Sequence, residues 1–300
     1  MNSYLITGGT GLVGYRLAKI LSEQTNEVCL LTRKAGFIGE FYTYKWNPKT
    51  KEIDTKFLET TDTIIHLTGA GIADKRWSVE YKKEILESRI RSTKLLYETL
   101  KNNKHSIKTF IATSAIGIYG NNIKGVADEN YPAADSFLAN VCKEWEEEVQ
   151  KIATLGIRVV ILRTGVVLSP RGGFIKEVSN PIRKYAGVIF GDGNQMMSWI
   201  HVDDLCAMFL KAAIDETMQG VYNAIAPNPV SNKTMIKKMA AQLKKPILLP
   251  NIPAFMLKII FGEMSEMFLA TQNVSSKKIE QAGFQFNFPT IDSALDDLML

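Results

Sequence analysis

The chain has 300 residues, with 36 Lys and Arg against 31 Asp and Glu, and its formal charge is +5. A hydrophobic content of 46% with 22% charged residues excludes a disordered or collagen-like chain and allows a sizeable core. Residues 231–284 hold eight lysines and three glutamates, which accounts for the whole positive excess. Lysine without interleaved arginine and aromatic residues is a poor nucleic-acid signature, so we interpret these lysines as solvated helix faces.

Cysteine usage and hydropathy indicate the compartment. The three cysteines are odd in number and widely spaced, so we expect reduced thiols. Together with the three histidines they form no zinc-binding spacing, so we expect no metal site. The N-terminus lacks the basic segment of a signal peptide. The most apolar tail segment, 254–261, is far shorter than the ~20 residues that span a bilayer. We therefore predict a cytoplasmic protein with no membrane partner.

Apolar runs alternate with helical patterns along the first two-thirds of the chain. The runs are continuous, as in parallel strands that are covered on both faces. A helix is predicted from Ser78, its N-cap, to Leu100, and another from Ser136 to Thr154, ending before Gly156. This alternation predicts an α/β fold with a Rossmann-type doubly wound parallel sheet. The predicted strands are 4–7, 28–32, 41–46, 63–67, 109–113 and 158–162.

Glycines and prolines interrupt the pattern after Leu168, so residues 168–200 are predicted as a loop-rich substrate insertion. A helix around 208–210 and a strand at 221–224 complete a dinucleotide-binding domain over residues 1–230. Residues 231–300 are predicted as a mostly helical C-terminal region that contains a small module at 249–298.

A glycine loop lies between the first strand and the first helix. Its spacing, Gly8-x-x-Gly11-x-x-Gly14, allows a tight turn and brings backbone N–H groups to a pyrophosphate at the helix N-terminus. A P-loop is excluded because no Gly-Lys-Ser/Thr ends the motif. The residues predicted to bind the cofactor here are Gly8, Thr10, Gly11, Leu12, Val13 and Gly14.

The end of the second strand indicates which dinucleotide binds. It reads Thr32-Arg33-Lys34, with no acidic residue before Glu40. A carboxylate would repel a ribose 2′-phosphate, whereas a guanidinium can hold it with two hydrogen bonds. We therefore predict NADP(H), with Arg33 as the phosphate clamp and Lys34 in support. The alternative is that both are ordinary surface cations.

Several motifs resemble those of a known family. TGGTGLVG at 7–14 and TSAIGIYG at 113–120 are similar to the extended short-chain dehydrogenases/reductases of the epimerase/dehydratase type. Over its whole length the chain resembles their epimerase-like subfamily with a small C-terminal domain of unknown function. The more specific motifs are HLTGAGIADKRW at 66–77, SRIRSTKLL at 88–96, RTGVVLSPRGG at 163–173, SWIHVDDL at 198–205, NAIAPNPVSN at 223–232 and AFMLKIIFGEM at 254–264.

The resemblance implies the fold, an NADP cofactor and a small-molecule substrate such as a nucleotide sugar. It also suggests a homodimer through the helices at 78–100 and 136–154. Ligands of such folds bind beyond the carboxyl ends of the strands. Further cofactor contacts are therefore predicted at Leu67, Thr68, Gly69, Thr113, Lys143 and Arg163.

The usual catalytic residues of the superfamily are missing. The resemblance implies Tyr-x-x-x-Lys on a helix and a Ser or Thr at the end of strand five. If Lys143 is that lysine, the tyrosine position is Ala139, and the position four before Tyr119 is Ala115. Because alanine cannot exchange a proton, the standard mechanism cannot run. The remaining catalytic candidates are Ser114, Tyr119, Lys143 and His201.

Each of these candidates has a structural alternative: Lys143 as a solvated helix residue, Tyr119 as a packed turn aromatic and His201 as a structural histidine. Two functions therefore stay open. One is an NADP(H)-dependent epimerase or carbonyl oxidoreductase with unusual acid/base residues. The other is a non-catalytic NADP(H)-binding sensor or regulatory protein that binds a partner.

Overall fold

The computed structural model describes residues 2–24 and 26–299. Its central sheet holds seven parallel strands in the order β13-β8-β7-β6-β1-β2-β4, with β3 and β5 antiparallel to β4. The strands are β1 (Ser3–Thr7), β2 (Glu27–Thr32), β3 (Gly36–Ile38), β4 (Phe41–Asn47), β5 (Glu52–Ile53), β6 (Thr63–His66), β7 (Thr109–Ala115), β8 (Arg158–Thr164), β9 (Val166–Ser169), β10 (Gly172–Gly173), β11 (Met196–Met197), β12 (Trp199–His201), β13 (Gly220–Ala224) and β14 (Val230–Ser231).

Helices cover both faces of this sheet, which confirms the predicted Rossmann-type fold. Short 3₁₀ segments lie at 56–59, 116–119, 151–155 and 262–265. The α-helices are α1 (Leu12–Glu23), α2 (Val79–Asn102), α3 (Phe137–Gln150), α4 (Phe174–Arg183), α5 (Val202–Ile214), α6 (Asn232–Gln242), α7 (Ala254–Phe261), α8 (Glu266–Leu269), α9 (Lys277–Gln281) and α10 (Ile291–Leu298).

The strand order reverses at β1. From β1 the chain moves outward to β2 and β4, and it then returns to place β6 on the other side of β1. Such a reversal leaves a crevice at the carboxyl ends of the two central strands, where open α/β sheets bind ligands. The crevice lies beyond Thr7 and His66, which are opposite each other in the β1–β6 register.

Side-chain caps fix the starts of the two long helices, as the sequence predicted. Ser78 accepts a hydrogen bond from the Tyr81 amide at 3.2 Å, and Ser136 accepts one from Ala139 at 3.3 Å. The second helix is shorter than predicted, because its last turn tightens into the 3₁₀ segment 151–155 before Gly156. Gly156 has φ +79°, a left-handed conformation that favours glycine.

The segment expected to be a loop-rich insertion contains more regular structure than its composition indicates. Residues 174–183 form α4, which accommodates Pro181 in its last turn. Strands β9, β10 and β12 form a small second sheet beside α4. Apolar packing explains the difference, since Ile175 and Ile182 are buried with residues of α6 and α10.

The C-terminal region packs against the central body. Ile279 and Phe284 join the core that also contains residues of β1 and α5. The buried Asp204 carboxylate accepts hydrogen bonds from the backbone amides of Asn287 (2.9 Å) and Phe288 (3.0 Å). Within residues 2–24 and 26–299, none of the helices has the length and apolar character that crossing a bilayer requires.

Candidate functional site

The glycine loop crosses β6 at very short range. Gly8 has φ +69°, and a Cβ there would lie 3.0 Å from the carbonyl carbon of Leu67. A Cβ on Gly14 would lie 2.4 Å from the Gly8 carbonyl oxygen, so only glycine lets α1 start this close to the loop. The Gly11 amide closes the turn by donating to Gly8 O at 2.9 Å.

No side chain caps the N-terminus of α1, which begins at Leu12. The first amides of the helix, including those of Leu12 and Val13, therefore have no intrahelical acceptor and can receive an anion from the crevice. Thr10 is exposed at the tip of the same loop. The cofactor contacts of these residues stay predictions.

A neutral histidine joins the two central strands to α2. The Thr7 hydroxyl accepts a hydrogen bond from the Leu67 amide (3.1 Å). The hydroxyl proton is therefore directed at His66 Nδ1, which lies 2.7 Å from the Thr7 oxygen. The Thr93 hydroxyl donates to the Arg89 carbonyl, so it accepts from His66 Nε2 at 3.1 Å. Burial, with a smaller effect of the Arg89 charge, lowers the pKa of His66 to about 3. His66 is therefore a structural part of the crevice wall.

Thr68 and Gly69 follow β6 at the edge of the crevice. The Thr68 hydroxyl oxygen is buried, and none of the described residues gives it a hydrogen-bond partner. Buried hydroxyls are nearly always paired, so this one is a candidate for a ligand contact. The glycine cradle and this hydroxyl together fit a dinucleotide. Gly69 lies against the guanidinium of Arg89, whose Nη1 donates to Ala70 O (3.1 Å) and Ile85 O (2.8 Å).

Arg33 and Lys34 lie just beyond the carboxyl end of β2, and both are exposed. The Lys34 carbonyl is held by the hydroxyls of Thr32 (2.5 Å) and Thr43 (3.0 Å), which fixes the backbone of this turn. In the described part of the chain, Arg33 forms no ion pair, so its guanidinium is available to a ligand.

The carboxyl ends of β7 and β8 hold a closed polar network. Arg163 donates to both carboxylate oxygens of Glu146 (2.9 and 2.8 Å) and to the Tyr119 hydroxyl (2.9 Å). Ser114 donates to Glu146 at 2.6 Å, and Tyr119 donates to the Asn223 side chain at 2.7 Å. All five side chains are buried. The predicted residues Ser114, Tyr119 and Arg163 are therefore brought together, and the sequence analysis missed Glu146 and Asn223.

This network has little capacity for proton transfer. Burial raises the pKa of Tyr119 to about 12, and Arg163 and Asn223 already engage the hydroxyl. The Ser114 proton is directed to Glu146 rather than to the crevice. Thr113 behaves similarly, because its hydroxyl is 3.1 Å from that of Thr164. The arrangement favours a structural role for Tyr119.

The helix phase of α3 differs from the one expected from the Lys143 alignment. The residue whose thiol contacts Ser114 and the Ala115 backbone is Cys142, and burial raises its pKa to about 11. Lys143 is exposed and lies beside Ile118 on the outside of the helix. One residue corresponds to about 100° of rotation on an α-helix, so neighbours cannot share a direction. The expected placement of Lys143 at the crevice is corrected to Cys142.

His201 caps α5. Its Nδ1 accepts from the Asp203 amide at 3.1 Å, and its ring stacks on Phe288 with centroids 3.8 Å apart. Nε2 lies 3.2 Å from Asp297 Oδ2, and burial lowers the pKa of His201. Nε2 has no hydrogen-bond partner among the described residues, and the engagement of Nδ1 and of the ring face with protein groups favours the structural alternative for His201. The residues that the structure describes contain no metal-binding cluster of three or more His, Cys, Asp or Glu side chains.

Known proteins share this architecture over the whole chain. An epimerase family protein of Staphylococcus aureus (strain MRSA252) is 34% identical over 300 residues, covering 100% of this chain and 99% of that protein. The crystal structure of human epimerase family protein SDR39U1 (isoform 2) with NADPH has a TM-score of 0.88 and 27% identity, and it covers 99% of both chains.

A second structure of this kind is that of the nucleoside-diphosphate sugar epimerase from Corynebacterium glutamicum. It has a TM-score of 0.79 and 31% identity over 99% of this chain and 58% of the other. A domain of unknown function, DUF1731, matches residues 252–298. The model of the NAD dependent epimerase/dehydratase family matches residues 4–224, which is most of the chain. This protein therefore belongs to the NAD dependent epimerase/dehydratase family.

Proposed function

We propose that this protein binds NADP(H) in the crevice between β1 and β6 and uses it in the reduction or epimerisation of a small carbonyl compound, with a nucleotide sugar as the substrate class. The observation that carries the cofactor assignment is Arg33, an exposed guanidinium without an ion pair among the described residues, at the end of β2. The NADPH in the human relative supports it, and the name of the Corynebacterium relative supports the substrate class.

Each part of the crevice has a distinct task toward this cofactor. The α1 amides and Gly8 backbone would hold the pyrophosphate, Arg33 and Lys34 the 2′-phosphate, and the Thr68 hydroxyl a ribose or phosphate oxygen. NADP(H), when bound, supplies or accepts a hydride. Leu67, Gly69, Thr113 and Arg163 stay predicted contacts. The cytoplasmic location and a homodimer through α2 and α3 also stay predictions.

Proton transfer is where this chain departs from its superfamily. Three side chains with an exchangeable proton lie near the end of β7, namely Ser114, Tyr119 and, from α3, Cys142. Each keeps its proton at neutral pH or donates it in a hydrogen bond to another protein group. A substrate proton would therefore move through water or through a group of the substrate itself. The same observation favours the second candidate function, an NADP(H)-binding sensor without turnover.

Replacing Arg33 tests the cofactor assignment. We expect Arg33→Ala to weaken NADPH about 10- to 100-fold, as for loss of hydrogen bonds to a charged group, and to leave NADH unchanged. Fluorescence titration of both dinucleotides measures this, with the exposed Arg183→Ala as the matched control. Equal weakening of NADPH and NADH would refute the clamp.

Label transfer separates the two functions. The protein is incubated with NADPH deuterated at the nicotinamide and a panel of nucleotide sugars, quinones and simple carbonyls, and products are analysed by mass spectrometry. Deuterium in a reduced product, or an epimer formed in a parallel incubation with NADP+, supports the enzyme, whereas tight NADPH binding without either product supports the sensor. We expect Tyr119→Phe to retain both NADPH affinity and any transfer, because the phenol is fully engaged inside the protein. Loss of transfer with unchanged affinity would make Tyr119 catalytic.

A further inference from the structure

Arg89 on α2 is a largely buried cation that lacks an acidic partner. Across residues 2–24 and 26–299, no carboxylate forms an ion pair with it. Nη1 is used by the carbonyls of Ala70 and Ile85, and the guanidinium carbon lies 5.1 Å from the ring centroid of Trp145. These contacts leave the Nη2 and Nε protons without an acceptor in the described residues. Because the side chain keeps some access to solvent, these protons can bind the oxygen atoms of a ligand in place of water.

The position of this guanidinium relative to the crevice is well defined. A Cβ built on Gly69 would lie 2.9 Å from the guanidinium carbon and 3.1 Å from both Nη atoms. Gly69 follows Thr68, whose buried hydroxyl is also without a partner among the described residues. Two unused polar groups therefore meet on one short segment after β6. They are independent observations, since one is a side chain of α2 and the other belongs to the loop.

The strand order indicates which part of a dinucleotide reaches this segment. Arg33 follows β2, the glycine loop follows β1, Gly69 follows β6 and Ser114 lies at the end of β7, and these strands are neighbours in that order. A cofactor with its 2′-phosphate at Arg33 and its pyrophosphate at α1 extends its other half over β6 and β7. That half is the nicotinamide and its ribose.

The chemistry of α3 shows why a cation from another helix is needed there. The α3 side chain that faces Ser114 is Cys142, a neutral thiol, and Lys143 points to the outside. Arg89 is close enough to Cys142 for its positive charge to act on that thiol. We propose that Arg89, with Thr68, binds the nicotinamide-ribose half of NADP(H), and that this arginine of α2 takes the place of a lysine on α3. This assignment rests on the proposed function.

The test compares NADPH with adenosine 2′,5′-bisphosphate, which has the 2′-phosphate but no nicotinamide ribose. Full-length wild type, Arg89→Met and Arg89→Lys are titrated with both ligands by calorimetry. We expect Arg89→Met to weaken NADPH about 10-fold or more and to leave the bisphosphate within twofold. Arg89→Lys should restore part of the loss. Arg33→Ala, in contrast, should weaken both ligands.

The outcomes separate the two proposals. Unchanged NADPH affinity in Arg89→Met, or equal weakening of both ligands, overturns the assignment of Arg89. A wild-type protein that binds neither ligand overturns the proposed function instead. If Arg89→Met does not fold, Gly69→Ala replaces it, because a methyl group at 2.9 Å displaces the guanidinium and retains its charge. The same selective loss of NADPH is then expected, and its absence counts against Arg89.

Discussion

Polar residues at the carboxyl ends of the strands are in opposite states at two places in the sheet. We call the ends of β1 and β6 the open edge and the ends of β7 and β8 the satisfied edge. At β1 and β6, the α1 amides are uncapped, the Thr68 hydroxyl has no partner in the described residues, and Arg33 and Arg89 have no acidic partner there. At β7 and β8, a short distance along the same sheet, Ser114, Glu146, Arg163, Tyr119 and Asn223 satisfy one another.

The difference distinguishes residues that bind a ligand from residues that hold the fold. Groups kept for a ligand are unsatisfied without it, whereas structural polar groups complete their hydrogen bonds inside the protein. By this criterion we propose the β1–β6 edge as the binding site. The β7–β8 edge, which holds two of the four predicted catalytic residues, is then its rigid support.

The largest expected effect comes from breaking the satisfied edge. Glu146→Ala leaves the buried Arg163 without its carboxylate, and we expect a loss of about 3–5 kcal/mol in the free energy of unfolding. Urea denaturation measures it, and the exposed neighbour Glu147→Ala is the matched control. Wild-type stability combined with lost NADPH binding would show that this edge is the ligand site after all.

A pH-dependent effect is expected from His66, the satisfied group at the open edge. Its folded pKa of about 3 lies below the ordinary 6.5, so the unfolded chain binds the proton first as the pH falls. The stability contribution of His66 is complete above about pH 6.5 and is lost toward pH 3, by about 1.4 kcal/mol per pH unit.

Denaturation at several pH values measures this slope, and His66→Gln should reduce it. The same slope in His66→Gln and in wild type would mean that His66 is not the buried neutral group described above.

The smallest effect is expected at the open edge itself. Thr68→Val removes an unsatisfied hydroxyl, so we expect the ligand-free protein to gain about 1 kcal/mol in stability and to bind NADPH several-fold more weakly. Thr68→Ser, which keeps the hydroxyl, should bind NADPH as wild type does. Thermal unfolding with and without NADPH measures both. A destabilised valine variant would contradict the idea that this hydroxyl is reserved for a ligand.

Most of the fold was predictable because its signals are local. Apolar runs predicted the parallel strands, and Ser78 and Ser136 predicted where the two long helices begin. The glycine loop predicted the position of the crevice. Helix α4 was not predicted, since Pro181 within it and Gly172 and Gly173 before it indicate a loop, and only packing against α6 and α10 compensates.

The site was harder to predict, because it depends on how helices rotate against the sheet. A single sequence does not reveal whether Cys142 or Lys143 faces β7, and one residue changes the direction by about 100°. Glu146 looks like a surface charge until its spacing of four from Cys142 places it on the same face. Arg89 lies within a recognised motif, SRIRSTKLL, but no local pattern shows that its guanidinium would lack a carboxylate.

The contact between Asp204 and the backbone of Asn287 and Phe288 bears on how this chain can be divided. Those two amides are the donors that make a buried carboxylate on α5 tolerable. A polypeptide that stops near residue 230 would keep the carboxylate and lose its donors, together with Ile279 and Phe284 from the core. Buried contacts therefore cross the boundary between the two sequence-family regions, and we expect residues 1–230 alone to be less stable than the whole chain.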